Sequence, residues 1–484
     1  MAGLMRPVEA HGWHAVGEAL RQGARDLVTL WADGTEIRLA TIMRDPPAVD
    51  VVVLRSEAGR FPSLGAVHPP ALRLERMLRE TTGLVPDGHP DPRHWLDHGR
   101  WPLRRPLGDR AAHDGTPDPY PFLPVEGTSL HEIPVGPVHA GIIEPGHFRF
   151  TAQGETVARL EARLGWVHKG IEASLAGAPL DRAQRLVGRI SGDATVAWQW
   201  AFARAVETIA GIEPPPRAVL LRGLAAELER VANHLGDVGA VCNDAAFAVL
   251  HAATGIAREQ VLQACHAAFG HRLMMDRIVP GGMAVDLAPG SAERLRDLSL
   301  ALRPVVDEIA RVYDETPSLM DRTQTTGIIR PEHAARWAAG GFVGRASGRD
   351  FDTRRDLAYP PYDTLRFEVP VLDSGDVDAR VRIRLAEIVQ SLGLIEQLLA
   401  RLPAGPIAVQ VPAVDGEAVS LVESFRGDVV VALRIAAGHV ARCHPRDPSW
   451  FHWPLLEAAI EGNIVADFPL CNKSVNASYA GCDL

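Results

Sequence analysis

The sequence predicts an α+β protein: a small α/β domain at the N-terminus, followed by a mainly α helix bundle that carries small β-sheets. Three observations predict it. Alternating apolar runs crowd roughly the first 110 residues, a proline- and glycine-rich seam runs from Trp101 to Pro124, and apolar positions at helical spacing then dominate the rest. The boundaries follow: an α/β domain over 1–118, a proline-rich linker over 119–130 and a large domain over 131–484.

Each element has a local reason. Asp26 to Ala32 and Glu36 to Ile42, joined through Asp33-Gly34-Thr35, form a hairpin with an Asp-Gly turn. Val51 to Arg55 is a further strand, Glu75 to Glu80 is helical, and two prolines keep Gly88-His-Pro-Asp-Pro-Arg93 in a loop. A second hairpin spans Glu132 to Phe150. Helical spacing then appears over Glu155–Leu164, Thr195–Ile209, Arg217–Val241, Ala292–Tyr313 and Asp378–Leu402. Near the end, Asp428 to Ile435 and His439 to Cys443 predict a last hairpin around Gly438.

Composition removes several classes of function. The 484 residues are 46% apolar and 23% charged, which belongs to a globular chain with a large core. Lys+Arg 50 against Asp+Glu 60 leaves a net charge of −10, which excludes a general phosphate-backbone binder, so no nucleic-acid partner is expected. Five cysteines, none spaced as C-x-x-C, exclude a disulfide framework. The N-terminus lacks a signal-peptide pattern, and no apolar run reaches the roughly 18 residues a spanning helix needs. The expectation is a soluble cytoplasmic chain that touches a membrane only through partners.

The stretch Ile133-Pro-Val-Gly-Pro-Val-His-Ala-Gly-Ile-Ile-Glu-Pro-Gly-His-Phe148 resembles the large subunit of membrane-associated nickel–iron hydrogenases of the formate-hydrogenlyase kind, itself homologous to the quinone-site subunit of respiratory complex I. Val167-His-Lys-Gly-Ile-Glu172, Glu227-Leu-Glu-Arg-Val-Ala-Asn-His-Leu-Gly-Asp237, Gly270-His-Arg272 with Val279-Pro-Gly-Gly282, and Arg446-Asp-Pro-Ser-Trp450 agree in the same order. The first part, with Gly88 to Arg93 and Trp101-Pro-Leu-Arg-Arg-Pro106, resembles the small hydrophilic subunit of complex I, and fusions of the two occur in this family.

The resemblance implies a site and also marks departures from it. A nickel–iron centre is held by four thiolates, because soft sulfur ligands suit these metals. Counting from Ala205-Val-Glu207 puts the first family pair on Ser191 and Ala194, and counting from Asp467-Phe-Pro-Leu470 puts the second on Ser478 and Gly481. No thiolate stands at any of the four; a one-residue shift brings only Cys482 into place. The chain also stops two residues later, without the C-terminal extension that hydrogenases lose after nickel insertion. No metal or other cofactor is therefore expected on this chain. Complex I reuses the cavity for quinone, held by a histidine and a tyrosine whose positions here are Ile143 and Gly192, whereas His139 is retained on the same hairpin.

Three residues carry the implied proton or acceptor chemistry: Glu172, His139 and Arg426. Glu172 matches a family glutamate that passes protons, a role suited to a desolvated carboxyl with a raised pKa; otherwise it stabilises a helix N-terminus. Arg426, in Glu423-Ser-Phe-Arg-Gly427, matches an arginine lining the hydrogenase cavity, or pairs with Glu423 or Asp428. His139 and His147 flank the hairpin and serve either the cavity or local structure. Asp193 either relays protons or caps the following helix, with capping the preferred reading. Glu227, Arg230 and His234 share one helix face and read first as structural ion pairs, second as a proton ladder. Asn472, Lys473, Asn476 and Tyr479 supply a polar filling where the metal would have been.

The function implied by the resemblance is that of the large subunit of a membrane-associated NADH dehydrogenase- or hydrogenase-like oxidoreductase. Its expected partners are a small Fe–S subunit, which delivers electrons to a quinone-like acceptor, and antiporter-like membrane subunits that couple this to ion movement. Such a chain sits peripherally on the inner face of the bacterial cell membrane. The alternative is a redox-inert coupling subunit; an active hydrogenase ranks third.

Overall fold

The computed structural model describes residues 5–112, 119–127, 129–139 and 143–484. The N-terminal sheet orders its strands as Arg6–Pro7, Pro47–Arg55, Glu36–Arg44 and Arg25–Asp33, the first pair parallel and the others antiparallel. The Asp-Gly turn is where the sequence puts it, with Gly34 at φ 60°. One face of this sheet meets the helices Ala10–Arg21 and Leu72–Thr82 in a core that includes Trp13, Leu27, Leu39 and Leu78.

The opposite face is buried as well. Val28, Trp31, Ala40, Ile42 and Val51 pack on Val419, Leu421, Val430 and Ala432 of the C-terminal sheet. That sheet is a meander of Gly416–Ser424, Gly427–Ala436 and His439–Arg446. Polar pins cross the same boundary. Arg446 Nε donates to the Val28 carbonyl at 2.7 Å, Arg442 Nε donates to that of Ala32 at 2.9 Å, and Thr29 Oγ1 lies 2.8 Å from His444 Nε2.

A third sheet joins Leu130–Val135, His147–Gln153 and Thr156–Arg163, all antiparallel. Its last strand corrects the helix expected over Glu155–Leu164. Val157, Leu160 and Leu164 satisfy a helical stripe, but Gly154 (φ 60°) turns the chain straight back onto its neighbour. A bulge between Thr151 and Ala152 then adjusts the register, leaving Val157, Leu160 and Ala162 buried.

The bundle contains the helices Thr195–Ala210, Pro216–Asp244, Ala248–Phe269, Ser291–Asp314 and Val377–Arg401. The 29-residue Pro216–Asp244 helix is about 44 Å long and forms the central strut, packed between Ala248–Phe269 and Val377–Arg401. Three shorter helices, Ser449–Ala459, Phe468–Val475 and Tyr479–Asp483, bring the chain end into the interior, where Leu484 is buried. Among the described residues, no helix is long and apolar enough to cross a membrane.

Candidate functional site

The two loops onto which the resemblance maps the family's ligand pairs meet. Lys169 holds the approach to the first, its Nζ donating to the carbonyls of Arg189 at 2.9 Å and Ile190 at 2.8 Å. The loop then turns through Gly192–Ala194 into the Thr195–Ala210 helix. At the other end of the chain Ser478 caps Tyr479–Asp483 by accepting from the Gly481 amide at 2.9 Å, and its own amide donates to Ser449 Oγ at 2.8 Å. Ser478 Oγ lies 3.4 Å from Ser191 Oγ. Ala194 is buried beside this junction at the helix entry.

Arg426 closes the junction. Its Nη1 donates to Asp193 Oδ1 at 3.1 Å, its Nη2 to Asp193 Oδ2, and its Nε to the Asn476 carbonyl at 2.5 Å. Ser191 Oγ also donates to Asp193. Burial would raise the Asp193 pKa, but the guanidinium and the serine hydroxyl hold it below the usual range. Two sequence readings are corrected here. Arg426 pairs with neither Glu423, which binds Arg345, nor Asp428, which binds Arg446. Asp193 does not cap the helix. The cap comes from Glu229, whose carboxylate accepts from the amides of Val196 at 2.8 Å and Ala197 at 3.3 Å. Burial pushes Glu229 up to about 8 despite those two bonds, with the Asp193 charge adding to the rise.

Asp447 stands against Gly481. A Cβ at 481 would lie 2.6 Å from Asp447 Cγ and Oδ2, so any side chain there displaces the aspartate. Asp447 Oδ1 accepts from the Ser449 amide at 2.9 Å, and burial raises its pKa. The donor set at the four positions expected from the resemblance is thus two hydroxyls, a methyl and a hydrogen. It does not fit a nickel–iron centre, which needs thiolates. Among the described residues there is also no group of three or more His, Cys, Asp or Glu side chains arranged to hold a metal ion. All five cysteines are buried and unpaired, as small apolar side chains.

Next to the junction lies an aromatic cluster. Phe148 is 4.7 Å from Phe468, 5.9 Å from Trp453 and 6.4 Å from Tyr479 between ring centroids, and the His139 ring stacks on it at 5.5 Å. Among the described residues, neither ring nitrogen of His139 has a hydrogen-bond partner, although both are shielded from solvent. Burial lowers its pKa, so the neutral imidazole is favoured. Ile143 faces His139 across the hairpin in a lone bridge. His147 turns to the Gly136 carbonyl at 3.4 Å and to the Phe122 ring. Asn472 donates to Tyr479 Oη at 3.3 Å, and Asn476 donates to Asp237 at 2.9 Å. Lys473 instead reaches outward to Asp244 at 3.4 Å.

Glu172 is engaged elsewhere, and the expectation of a raised pKa fails. Its Oε1 accepts from His444 Nδ1 at 2.6 Å and from Arg442 Nη1 at 3.2 Å. Burial alone would raise the carboxyl, but Arg442 and His444 together bring it down to about 2. Because a carboxylate only accepts, His444 carries its proton on Nδ1 and leaves Nε2 to the Thr29 hydroxyl.

The ladder of the long helix is a closed ionic cluster. Glu227 accepts from Arg354 at 3.0 Å, Ser391 at 2.6 Å and Tyr362 at 2.5 Å. His234 Nε2 lies 2.8 Å from Glu387, which also binds Arg345; Arg345 reaches Glu423 at 3.0 Å and Asp352 at 3.3 Å. Only Glu227, Arg230 and His234 were visible as a set in sequence. Their partners come from distant segments and no local signal announces them.

A hairpin sheet, a helix bundle and the C-terminal segment meet at this buried two-hydroxyl junction, and comparison with known proteins places the chain in the class of large hydrogenase and complex I subunits. The chain belongs to that oxidoreductase family. Residues 8–110 match the family described as respiratory-chain NADH dehydrogenase, 30 Kd subunit, and residues 245–415 match the 49 Kd subunit, so both kinds of domain are fused in one chain. The carbon monoxide-induced hydrogenase of Rhodospirillum rubrum is 32% identical over 72% of this chain and 98% of its own length. Formate hydrogenlyase subunit 5 of Escherichia coli is 30% identical over 87% of this chain and 77% of its own. A chain from the structure of the membrane-bound sulfane sulfur reductase, an archaeal respiratory membrane complex, superimposes with a TM-score of 0.70 at 28% identity, covering 75% of this chain and all of that one.

Proposed function

We propose that this chain is the large subunit of a complex I-like, membrane-associated oxidoreductase that works without a nickel–iron centre and passes electrons from a partner's Fe–S cluster to a quinone-like acceptor. The observation that carries this reading is His139: two shielded ring nitrogens without partners among the described residues, facing an aromatic cluster beside the junction of Ser191 and Ser478, where the resemblance expects family thiolates. A quinone, when bound, takes up two electrons and two protons to become a quinol. The residues present fit such a group: a neutral His139 donates one N–H to a carbonyl oxygen, its ring stacks on Phe148, and Tyr479 meets Phe148 edge-on. Tyr479 Oη accepts from Asn472, which leaves its own proton free to donate.

Arg426 and Asp193 hold the junction shut in place of a metal. Glu172 enters as a fixed negative charge that orients His444 Nδ1–H, not as a group that itself protonates near neutral pH. Electrons arrive from the Fe–S subunit, antiporter-like membrane subunits couple their passage to ion movement, and the chain reaches the cytoplasmic membrane face only through those partners. That same closed junction favours the second reading, a redox-inert coupling subunit.

Metal analysis and electron paramagnetic resonance on the purified complex, reduced and then titrated with a short-chain ubiquinone, separate the two. The proposal expects a reducible cluster, no stoichiometric nickel, and quinone-dependent reoxidation that slows in His139→Ala. Stoichiometric nickel overturns it, and a cluster indifferent to quinone leaves the coupling subunit.

A further inference from the structure

A cavity of about 970 Å³ opens between the N-terminal α/β unit and the hairpin sheet, away from the Ser191–Ser478 junction. Its walls carry seven arginines against two carboxylates, in a chain whose net charge is −10. Neither carboxylate serves the arginines. Glu80 accepts from the amides of Trp95, Leu96 and Asp97, and Asp97 accepts from those of Gly99 and Arg100. Arg93 and Arg149 are paired, with Asp91 and Glu161 and with Glu132.

Among the described residues, no carboxylate pairs with four others. Arg79 bonds the carbonyls of Pro92 and Arg93. Arg163 is buried on the Tyr120 ring and bonds the carbonyls of His94, Trp95 and Asp97. Arg100 and Arg105 are exposed on the rim. Gly83 makes room for Arg105: its φ is 86°, and a Cβ there would fall 2.7 Å from Arg105 Cδ.

We infer that this cavity docks an acidic peptide segment of a neighbouring subunit. The guanidinium fork suits carboxylates, and arginines without a carboxylate among the described residues, set in a roomy wall, call for several anions together. A phosphate site usually offers free backbone amides, but here those of Trp95, Leu96, Asp97, Gly99 and Arg100 are already taken by Glu80 and Asp97. The volume far exceeds a single inorganic anion, and the rings of Tyr120, Phe122 and Trp166 provide an apolar side for a peptide. The inference rests on membership of a multisubunit complex, not on the quinone chemistry, so it survives or fails independently of the redox titration.

The test uses the full chain and a fluorescein-labelled peptide of glutamates around a central phenylalanine, read by fluorescence anisotropy. Saturable binding is expected, falling as salt rises and weakened about tenfold or more by R100E/R105E. The same charge change at R182E/R296E, exposed and outside the cavity, leaves binding within about twofold. Absence of peptide binding overturns the inference, as does equal weakening by both double variants. Binding of pyrophosphate or of phosphatidylglycerol vesicles in place of the peptide overturns it in favour of a small phosphate ligand or a lipid headgroup.

Discussion

Ser191 and Ser478 are 287 residues apart in sequence, yet their hydroxyl oxygens lie 3.4 Å apart. The contact unites two loops that carry thiolates in nickel-containing relatives by resemblance, and it makes a direct prediction. The double variant Ser191→Cys/Ser478→Cys forms an intramolecular disulfide on mild oxidation, read as loss of two free thiols in intact-protein mass spectrometry. Persistent free thiols on a folded variant would show that the loops do not meet.

Gly481 answers to Asp447. A Gly481→Cys change, which restores a family ligand on paper, pushes a side chain into the aspartate and costs about 1–3 kcal/mol of stability. Adding Asp447→Gly relieves the clash, so the double variant recovers most of the lost thermal midpoint. Failure of that rescue would place the strain elsewhere.

Removing one carboxylate from the ionic cluster leaves arginines unmatched in the interior. Glu227→Gln therefore destabilises by about 3–5 kcal/mol, seen as a lowered midpoint in thermal unfolding. A midpoint unchanged from the parent would mean that Arg354 and Arg230 find compensation from Asp352 and Glu387.

Glu172 has a folded pKa of about 2, below its unfolded value near 4.5. Its ion pairs with Arg442 and His444 thus contribute stability that is complete above pH 4.5 and disappears as pH falls toward 2. Comparison with Glu172→Gln by chemical denaturation at several pH values should show the gap between the proteins closing within that window. A gap that is constant with pH would contradict the assigned ion pairs.

Glu229 behaves in the opposite sense. Its folded pKa of about 8 lies above the unfolded value, so the folded state retains the proton through the intervening range. Stability declines as pH rises from about 4.5 to about 8 and levels off beyond. Glu229→Gln, which keeps an oxygen for the Val196 and Ala197 amides, removes this decline and gains on the parent protein as pH rises through the same range.

What could be read from the chain depended on the length of each pattern. Thr195–Ala210, Pro216–Asp244, Ser291–Asp314 and Val377–Arg401 run for four turns or more, long enough for one apolar stripe to exclude a strand. Thr156–Arg163 is too short for that, and a glycine turn decided it. Gly416–Ser424 is absent from the sequence reading because it takes its meaning from the strand beside it. At the site, the resemblance pointed to Ser191, Ala194, Ser478 and Gly481, and the structure brings the two loops that carry them together. The partners of Asp193, Arg426 and Glu172 were not legible, because each lies far along the chain. The Glu229 cap, 33 and 32 residues from the two amides it holds, illustrates the general reason: sequence periodicity reports which face is buried, not what waits there.

The packing of the N-terminal sheet on the C-terminal one has a consequence for biosynthesis. Strand Arg25–Asp33 leaves the ribosome early, while its apolar cover, beginning at Gly416, follows some 390 residues later. At about 5–20 residues per second the uncovered face waits roughly 20–80 s. During that interval Val28, Trp31 and Ile42 present a sticky sheet to the cytosol, so chaperone demand should track translation speed and fall when the codons after residue 60 are made faster.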